Sequence, residues 1–225
     1  MDKHAKLVVY GMGETAEIIA DYFKHDSTFD VVGFTVDREY LKEDHLMGLP
    51  VVPFEDVTEI FPAAGHRMFA AASFGKLNRV RTSMYRKAKA AGYSCPSYVN
   101  SQAFKWHNVE LGENVFVFEE NVLQYKVRIG NNVILWSGNH IGHQTVIEDN
   151  CFISSHVVIS GFCTIGANSF LGVNTSFNDG VNFGKDNVTG NGTIIVRDCE
   201  PGGIYVGNPA KRIRSSYESF QVDPE

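Results

Sequence analysis

Residues 111–200 read LGENVF VFEENV LQYKVR IGNNVI LWSGNH IGHQTV IEDNCF ISSHVV ISGFCT IGANSF LGVNTS FNDGVN FGKDNV TGNGTI IVRDCE, a cut into sixes that needs no insertion or deletion. The first position of the sixes is aliphatic or aromatic from Leu111 through Ile195, with Thr189 the single exception. The fifth position holds only compact residues, from Val115 and Asn121 through Cys151, Cys163 and Cys199. A fixed short period with one apolar and one small inward site means that each turn buries its face only against its neighbours, the mark of a parallel β-helix. Glycine follows the apolar position at 112, 130, 142, 166, 172, 184 and 190, where a tight corner is expected. Small inward sites also account for Cys151, Cys163 and Cys199 as core residues, since no CxxC pair or zinc-ligand spacing is present.

Working back toward the N-terminus, the pattern changes. Lys6–Tyr10 is a short β-rich run, Gly11-Met-Gly13 a turn, and residues 14–23 an apolar series at helical spacing. A second β-rich run over 29–36 ends in Asp37. This is the layout of a nucleotide-binding βαβ unit, in which backbone N–H groups approach phosphate and an acidic side chain accepts from ribose hydroxyls. The third glycine of the dinucleotide fingerprint is replaced by Ala16, which argues against ordinary NAD binding; the glycines serve either a mononucleotide or only the turn. A further strand over 67–73 leads through Gly75, Lys76, Asn78 and Arg81 into a helix closed by Gly92. Cations at the carboxyl end of a parallel strand are either diphosphate contacts or a solvated helix start.

The sequence therefore predicts an N-terminal α/β Rossmann-like domain over 1–96, a left-handed parallel β-helix of about five coils over 97–213, and an irregular tail over 214–225. The handedness follows only from the resemblance described below. A net charge of −6 argues against binding nucleic acid or an anionic membrane surface. Met1–His4 runs directly into the first strand with no leader pattern, and no window is apolar enough to span a bilayer, so a cytoplasmic protein is expected.

The strings Asn139-His-Ile-Gly-His-Gln-Thr-Val-Ile147, Phe170-Leu-Gly-Val-Asn174 and Gly203-Ile-Tyr-Val-Gly-Asn-Pro-Ala-Lys-Arg-Ile213, with the Gly11–Gly13 turn and Asp37, carry a resemblance. They are similar to the bacterial nucleotide-sugar acetyltransferases that include the bacillosamine-pathway N-acetyltransferase and the sialic acid O-acetyltransferase group. The resemblance implies an acetyl-CoA-dependent transfer to a nucleotide-linked amino sugar in bacterial surface glycan synthesis. It implies a homotrimer with active sites between subunits, and no metal. His143 falls on the family's general base, Gly161 on the oxyanion donor, and Phe152, His156, Val173, Asn191 and Lys211 on coenzyme contacts. Gly11, Gly13, Asp37, Arg38, Gly75, Lys76, Asn78 and Arg81 fall on the nucleotide-sugar side. Lys185, Arg212 and Arg214 add positive charge near the coenzyme end.

Two positions depart from the family: Gln144 follows the histidine where some relatives carry Glu, and Thr15 stands where one branch carries a histidine. Sialic-acid-type O-acetylation and a non-catalytic nucleotide-sugar scaffold are alternative readings. A zinc hydratase is a third, disfavoured because His140, His143 and His156 do not converge by spacing on one tetrahedral site.

Overall fold

The computed structural model describes residues 5–224, so the expectation for Met1–His4 lies outside the described residues. The N-terminal part is a five-stranded sheet in the order β3-β4-β2-β1-β5, made of β1 (Lys6–Tyr10), β2 (Asp30–Val36), β3 (His45–Leu46), β4 (Leu49–Pro53) and β5 (His66–Ala70). β1 pairs in parallel with β2 and β5, and β2 with β4; the β3–β4 hairpin is antiparallel. The strand order reverses at β1, which puts a crevice at the carboxyl ends of β1, β2 and β5. Three helices complete it, α1 (Glu14–His25), the short α2 (Val57–Ile60) and α3 (Arg79–Ala90).

From Tyr98 onward the chain winds into a prism of two-residue strands on three faces. Face 1 carries the strands beginning at Tyr98, Phe116, Ile134, Phe152, Phe170 and Val188; face 2 those at Phe104, Val122, His140, Val158, Ser176 and Ile194; face 3 those at Glu110, Arg128, Val146, Thr164 and Asn182. Partners are eighteen apart, as in Phe116↔Ile134↔Phe152 and His140↔Val158, so three hexads make one coil. The fifth hexad position is buried in every hexad, and the first in all but the half-buried Leu111. The prism starts ahead of the unbroken hexads: Tyr98–Val99 and Phe104–Lys105 already stand on faces 1 and 2, with Lys105 exposed.

Two readings of the sequence are corrected. The glycines after the apolar position do not supply left-handed corners. A Cβ on Gly142 would lie 2.5 Å from the carbonyl carbon of Ser160, so glycine there permits the next coil to stack closely. The left-handed corner is the fourth hexad position, held by Asn114, Asn132, Gln144, Asn150, His156, Phe162 and Asn168 among others, all at φ between 54° and 64°. Asparagine tolerates that region through local polar contacts. Residues 214–220 are also regular: Lys211–Ser215 runs antiparallel to Gly203–Val206, and Ser216–Phe220 is a short helix capped by Ser215.

The two parts share one core. Helix α1 lies between the α/β sheet and face 1, where Phe23, Tyr98 and Phe116 pack with Leu7 and Phe69. At the corner between faces 3 and 1, Asn114, Asn132, the half-buried Asn150 and Asn168 form a ladder, each Nδ2 donating to the next Oδ1 at 2.9–3.1 Å and ending on the buried Asp186. Arg79 closes the lower end by a 2.7 Å ion pair with Asp186, and Asn114 exchanges hydrogen bonds with the Ala70 backbone at the upper end. This corner is where α3 is fastened to the prism.

Candidate functional site

His143 sits on the corner between faces 2 and 3, just past the strand His140–Ile141. The column through this corner reads His107, Tyr125, His143, Gly161, Asp179 and Arg197, each one coil apart. The imidazole lies over the bare backbone of Gly161: a Cβ there would stand 2.7 Å from Nε2 and 2.9 Å from Nδ1. Phe162 meets the ring edge-on at 4.9 Å, and its N–H donates to the His143 carbonyl at 2.9 Å. The backbone N–H of His143 donates to Gln124 Oε1 at 3.0 Å. At Gly161 the N–H finds no acceptor among the described residues, and neither imidazole nitrogen has a hydrogen-bond partner among them. A half-buried base beside an unsatisfied donor is what acyl transfer needs, one group to take a proton and another to face a developing oxyanion.

The coenzyme-side residues divide. Val173, Asn191 and His156 line the opposite edge of face 2, at its corner with face 1; Asn191 Oδ1 accepts from the Val173 N–H at 3.0 Å. His156 covers Gly138 as His143 covers Gly161, and it is exposed. Lys211 lies on the terminal strand, beside a pocket of about 250 Å³ that Arg197 and Arg212 also line. Phe152 does not join them. It is 4% exposed in the core between face 1 and the α/β part, stacked on Phe170 at 5.7 Å and met by Phe74 at 5.5 Å, so it presents no surface to a pantetheine arm. Its aromatic character belongs to the join between the two parts.

On the nucleotide side, the structure brings Asp37 and Lys76 to one pocket of about 300 Å³ at the carboxyl ends of β1 and β2, with Tyr10, Tyr40, Ser83 and Met84 in its wall. Sequence reading missed those four; a tyrosine closing β1 was the available signal. Asp37 accepts from Tyr10 Oη and pairs with Lys87 Nζ at 2.7 Å, and burial together with the Asp37 contact holds the Tyr10 phenol above its ordinary value. Gly13 caps α1 with open space around it, although Glu14 and Glu17 in the first turn would repel phosphate. Gly75 is exposed on the loop before α3, where Lys76, Leu77 and Asn78 follow one another in the left-handed region at φ 48°, 47° and 66°. Such a run costs roughly 1–2 kcal/mol per residue and is held by the burial of Leu77 and Asn78.

Four expected ligand contacts are engaged with the chain itself. Gly11 is buried, its N–H donates to the Thr35 carbonyl, and any Cβ would strike the Ala71 carbonyl oxygen, so it is a packing glycine. Arg38 turns outward to Asp56 at 2.6 Å. Asn78 is fully buried and donates to the carbonyls of Asn168 and Ser169. Arg81 is fully buried too, donating to the carbonyls of Ser73, Asn132, Asn150 and Cys151 and to Asn78 Oδ1. Burial pulls its guanidinium down to about 9, and the converging carbonyl dipoles keep it charged at neutral pH. Both residues bolt the α/β part to the prism, which the position of a cation after a strand does not distinguish from phosphate binding.

No helix among the described residues is long and apolar enough to cross a membrane. No group of three metal-ligating side chains occurs among them either.

Comparison with known proteins bears on the fold. Residues 126–161 match the bacterial transferase hexapeptide (six repeats). The Saccharomyces cerevisiae protein YJL218W, whose name designates an acetyltransferase, is 40% identical over 55 residues, 24% of this chain and 28% of that protein. Among solved structures, the acetyltransferase domain of PglB from Neisseria gonorrhoeae superposes with a TM-score of 0.84 at 23% identity, covering 93% of this chain and all of that one. PerB from Caulobacter crescentus, solved with CoA and GDP-perosamine, gives 0.80 at 25% identity over 93% and 97% of the two chains. WeeI from Acinetobacter baumannii gives 0.79 at 19% identity over 92% and 99%. The chain thus has the hexapeptide-repeat left-handed β-helix with an α/β part in front, the architecture of these three structures.

Proposed function

We propose that this chain transfers the acetyl group of acetyl-CoA to the free amine of a nucleotide-linked amino sugar, in the synthesis of a bacterial surface glycan. The observation that carries the reading is His143 laid over bare Gly161, with an unpaired backbone donor beneath the ring. The amine nitrogen attacks the thioester carbonyl, His143 takes the amine proton as the C–N bond forms, and that proton passes to the sulfur as the C–S bond breaks. Gly161 N–H faces the oxygen that becomes negative meanwhile. The CoA and GDP-perosamine bound to PerB support the substrate classes. Imidazole is the side chain suited to exchanging a proton at neutral pH.

The placement of the coenzyme residues supports an assembly. Val173, Asn191 and His156 stand on one edge of face 2 and His143 on the other, so a groove containing both sets forms when one copy's edge meets the opposite edge of another. Face 2 and its corner carry the exposed apolar side chains Phe104, Trp106, Tyr125, Val158, Phe162 and Val196. Exposed apolar groups gathered on one face mark an interaction surface, consistent with the homotrimer that the resemblance implies. The pocket holding Asp37 and Lys76 is the place for the nucleotide, and Lys211, Arg212 and Arg197 are cations for coenzyme phosphates.

The test is CoA release from acetyl-CoA in the presence of a panel of amino-sugar nucleotides and their hydroxyl counterparts. Release with at least one amino sugar, and not without acceptor, is expected. Release only with hydroxyl acceptors would move the assignment to O-acetylation, and none with any acceptor would overturn it.

A further inference from the structure

In this chain the residue after His143 is Gln144, at φ 58° on the exposed left-handed corner, where it cannot act as an anion beside the base. The geometry points to Asp179 as the positioning residue that takes up that role, an inference that rests on His143 being the base. His143, Gly161 and Asp179 stand in line, one coil apart, because Val158 pairs with His140 above and with Ser176 below. The corner hydrogen bonds repeat the same register: Phe162 N–H donates to the His143 carbonyl and Gly180 N–H to the Gly161 carbonyl, both at 2.9 Å.

The imidazole leans down this column rather than up it. Its nitrogens occupy the space that a side chain at 161 would fill. The ring therefore ends above the coil that carries Asp179, and with coils ~4.8 Å apart a carboxylate on a one-methylene stem spans the remaining gap. Gly161 makes this possible, since any larger residue would stand between the two. Asp179 is exposed and makes no hydrogen bond or ion pair with another described side chain, so its carboxylate is available to the ring.

Other charged and titratable groups near the corner are His107 and Tyr125 above, Arg197 one coil below Asp179, and Lys126, Arg128 and Glu110 on the face 3 side. Arg197 competes with His143 for the Asp179 carboxylate. A carboxylate facing an imidazole favours the charged ring and fixes which nitrogen carries the proton, leaving the other free to accept one. With Asp179 in this role, His143 is held in the tautomer its chemistry needs and is made a stronger base.

The experiment is a pH titration of the His143 imidazole signals by 15N-edited NMR in the full chain, the signals being identified by their loss in His143→Gln. Asp179→Asn is expected to lower the His143 midpoint by about half a pH unit or more, Asp179→Glu to recover most of it, and Arg197→Gln to raise it. An Asp179→Asn titration that superimposes on the wild type overturns the inference. Because the readout is the ring itself, that result leaves the acetyltransferase reading standing. That reading fails separately, when His143→Ala turns over acceptor as fast as the wild type. In the same assay Asp179→Asn should lower kcat with the acetyl-CoA KM unchanged and move the acid limb of kcat to lower pH; a loss confined to KM also overturns the inference.

Discussion

Two corners of one prism have the same backbone geometry and opposite chemistry. At the corner between faces 3 and 1, each coil repeats the same polar residue, and Asn114, Asn132, Asn150, Asn168 and Asp186 satisfy one another under α3. At the corner between faces 2 and 3, the column runs through His107, Tyr125, His143, Gly161, Asp179 and Arg197 without repetition, mostly exposed, and with a backbone donor left over at Gly161. Buried polar groups in native proteins are almost always paired, so a regular and fully paired column is a fastening. An irregular column with spare donors and acceptors keeps its hydrogen-bonding capacity for something outside the chain. The repeat makes this contrast sharp, because both columns are built from the same turn.

The comparison breaks first at the fastened corner. Arg81→Met removes the donor shared by the carbonyls of Ser73, Asn132, Asn150 and Cys151. It should cost about 3–5 kcal/mol, on the order of 10 °C in melting temperature, with any effect on turnover following the loss of folded protein. A melt unchanged from wild type, read by circular dichroism, would return Arg81 to the list of ligand contacts. At the open corner the same size of change should have the reverse outcome. Gly161→Ala keeps an acceptable backbone, since Gly161 is not among the residues at positive φ, but its methyl group must displace the His143 ring. Turnover should fall by about 10²-fold while the melting temperature moves by little, because displacing a catalytic group by an ångström suffices for such a loss. Full activity would mean that the ring position is irrelevant.

The smallest effect is set by pH. Asp26, at the end of α1, accepts from Tyr98 Oη at 2.6 Å and from the Ser101 N–H at 2.8 Å, and these bonds hold its carboxyl below the ordinary 3.8. A depressed folded value stabilises the fold above the ordinary value and loses that contribution as pH falls through the depressed one. Asp26→Asn should therefore lower the melting temperature by no more than about 2–4 °C between pH 5 and 7, the group being only half-buried, and the gap should close as pH falls below 3.8. A gap that widens in acid would show that Asp26 is not the anchor of α1 on the first coil.

Much of this was legible in the sequence because a period keeps residues of one kind in one place. Ile141, Ile147 and Ile153 announced their burial by recurrence, and His143 could be paired with Gly161 by counting eighteen. The asparagine ladder was equally periodic, yet it lies at the fourth position, outside the apolar register that draws attention. Where the period is absent, residue type alone misled. Arg81 and Asn78 look like phosphate ligands at the end of a strand, and only burial shows that the carbonyls they meet belong to the chain itself. Phe152 has the right register for a groove, but the α/β part covers its face, which no local pattern reports. The terminal strand Lys211–Ser215 was hidden by its charge.

The most direct measurement is CoA release by His143→Ala against wild type, at saturating acetyl-CoA with an accepted amino-sugar nucleotide and with the melting curves of both proteins recorded. Loss of the base should reduce turnover by about 10²–10⁴-fold while leaving the melt in place. Equal turnover in the two proteins would contradict the account of the open corner as the site of chemistry.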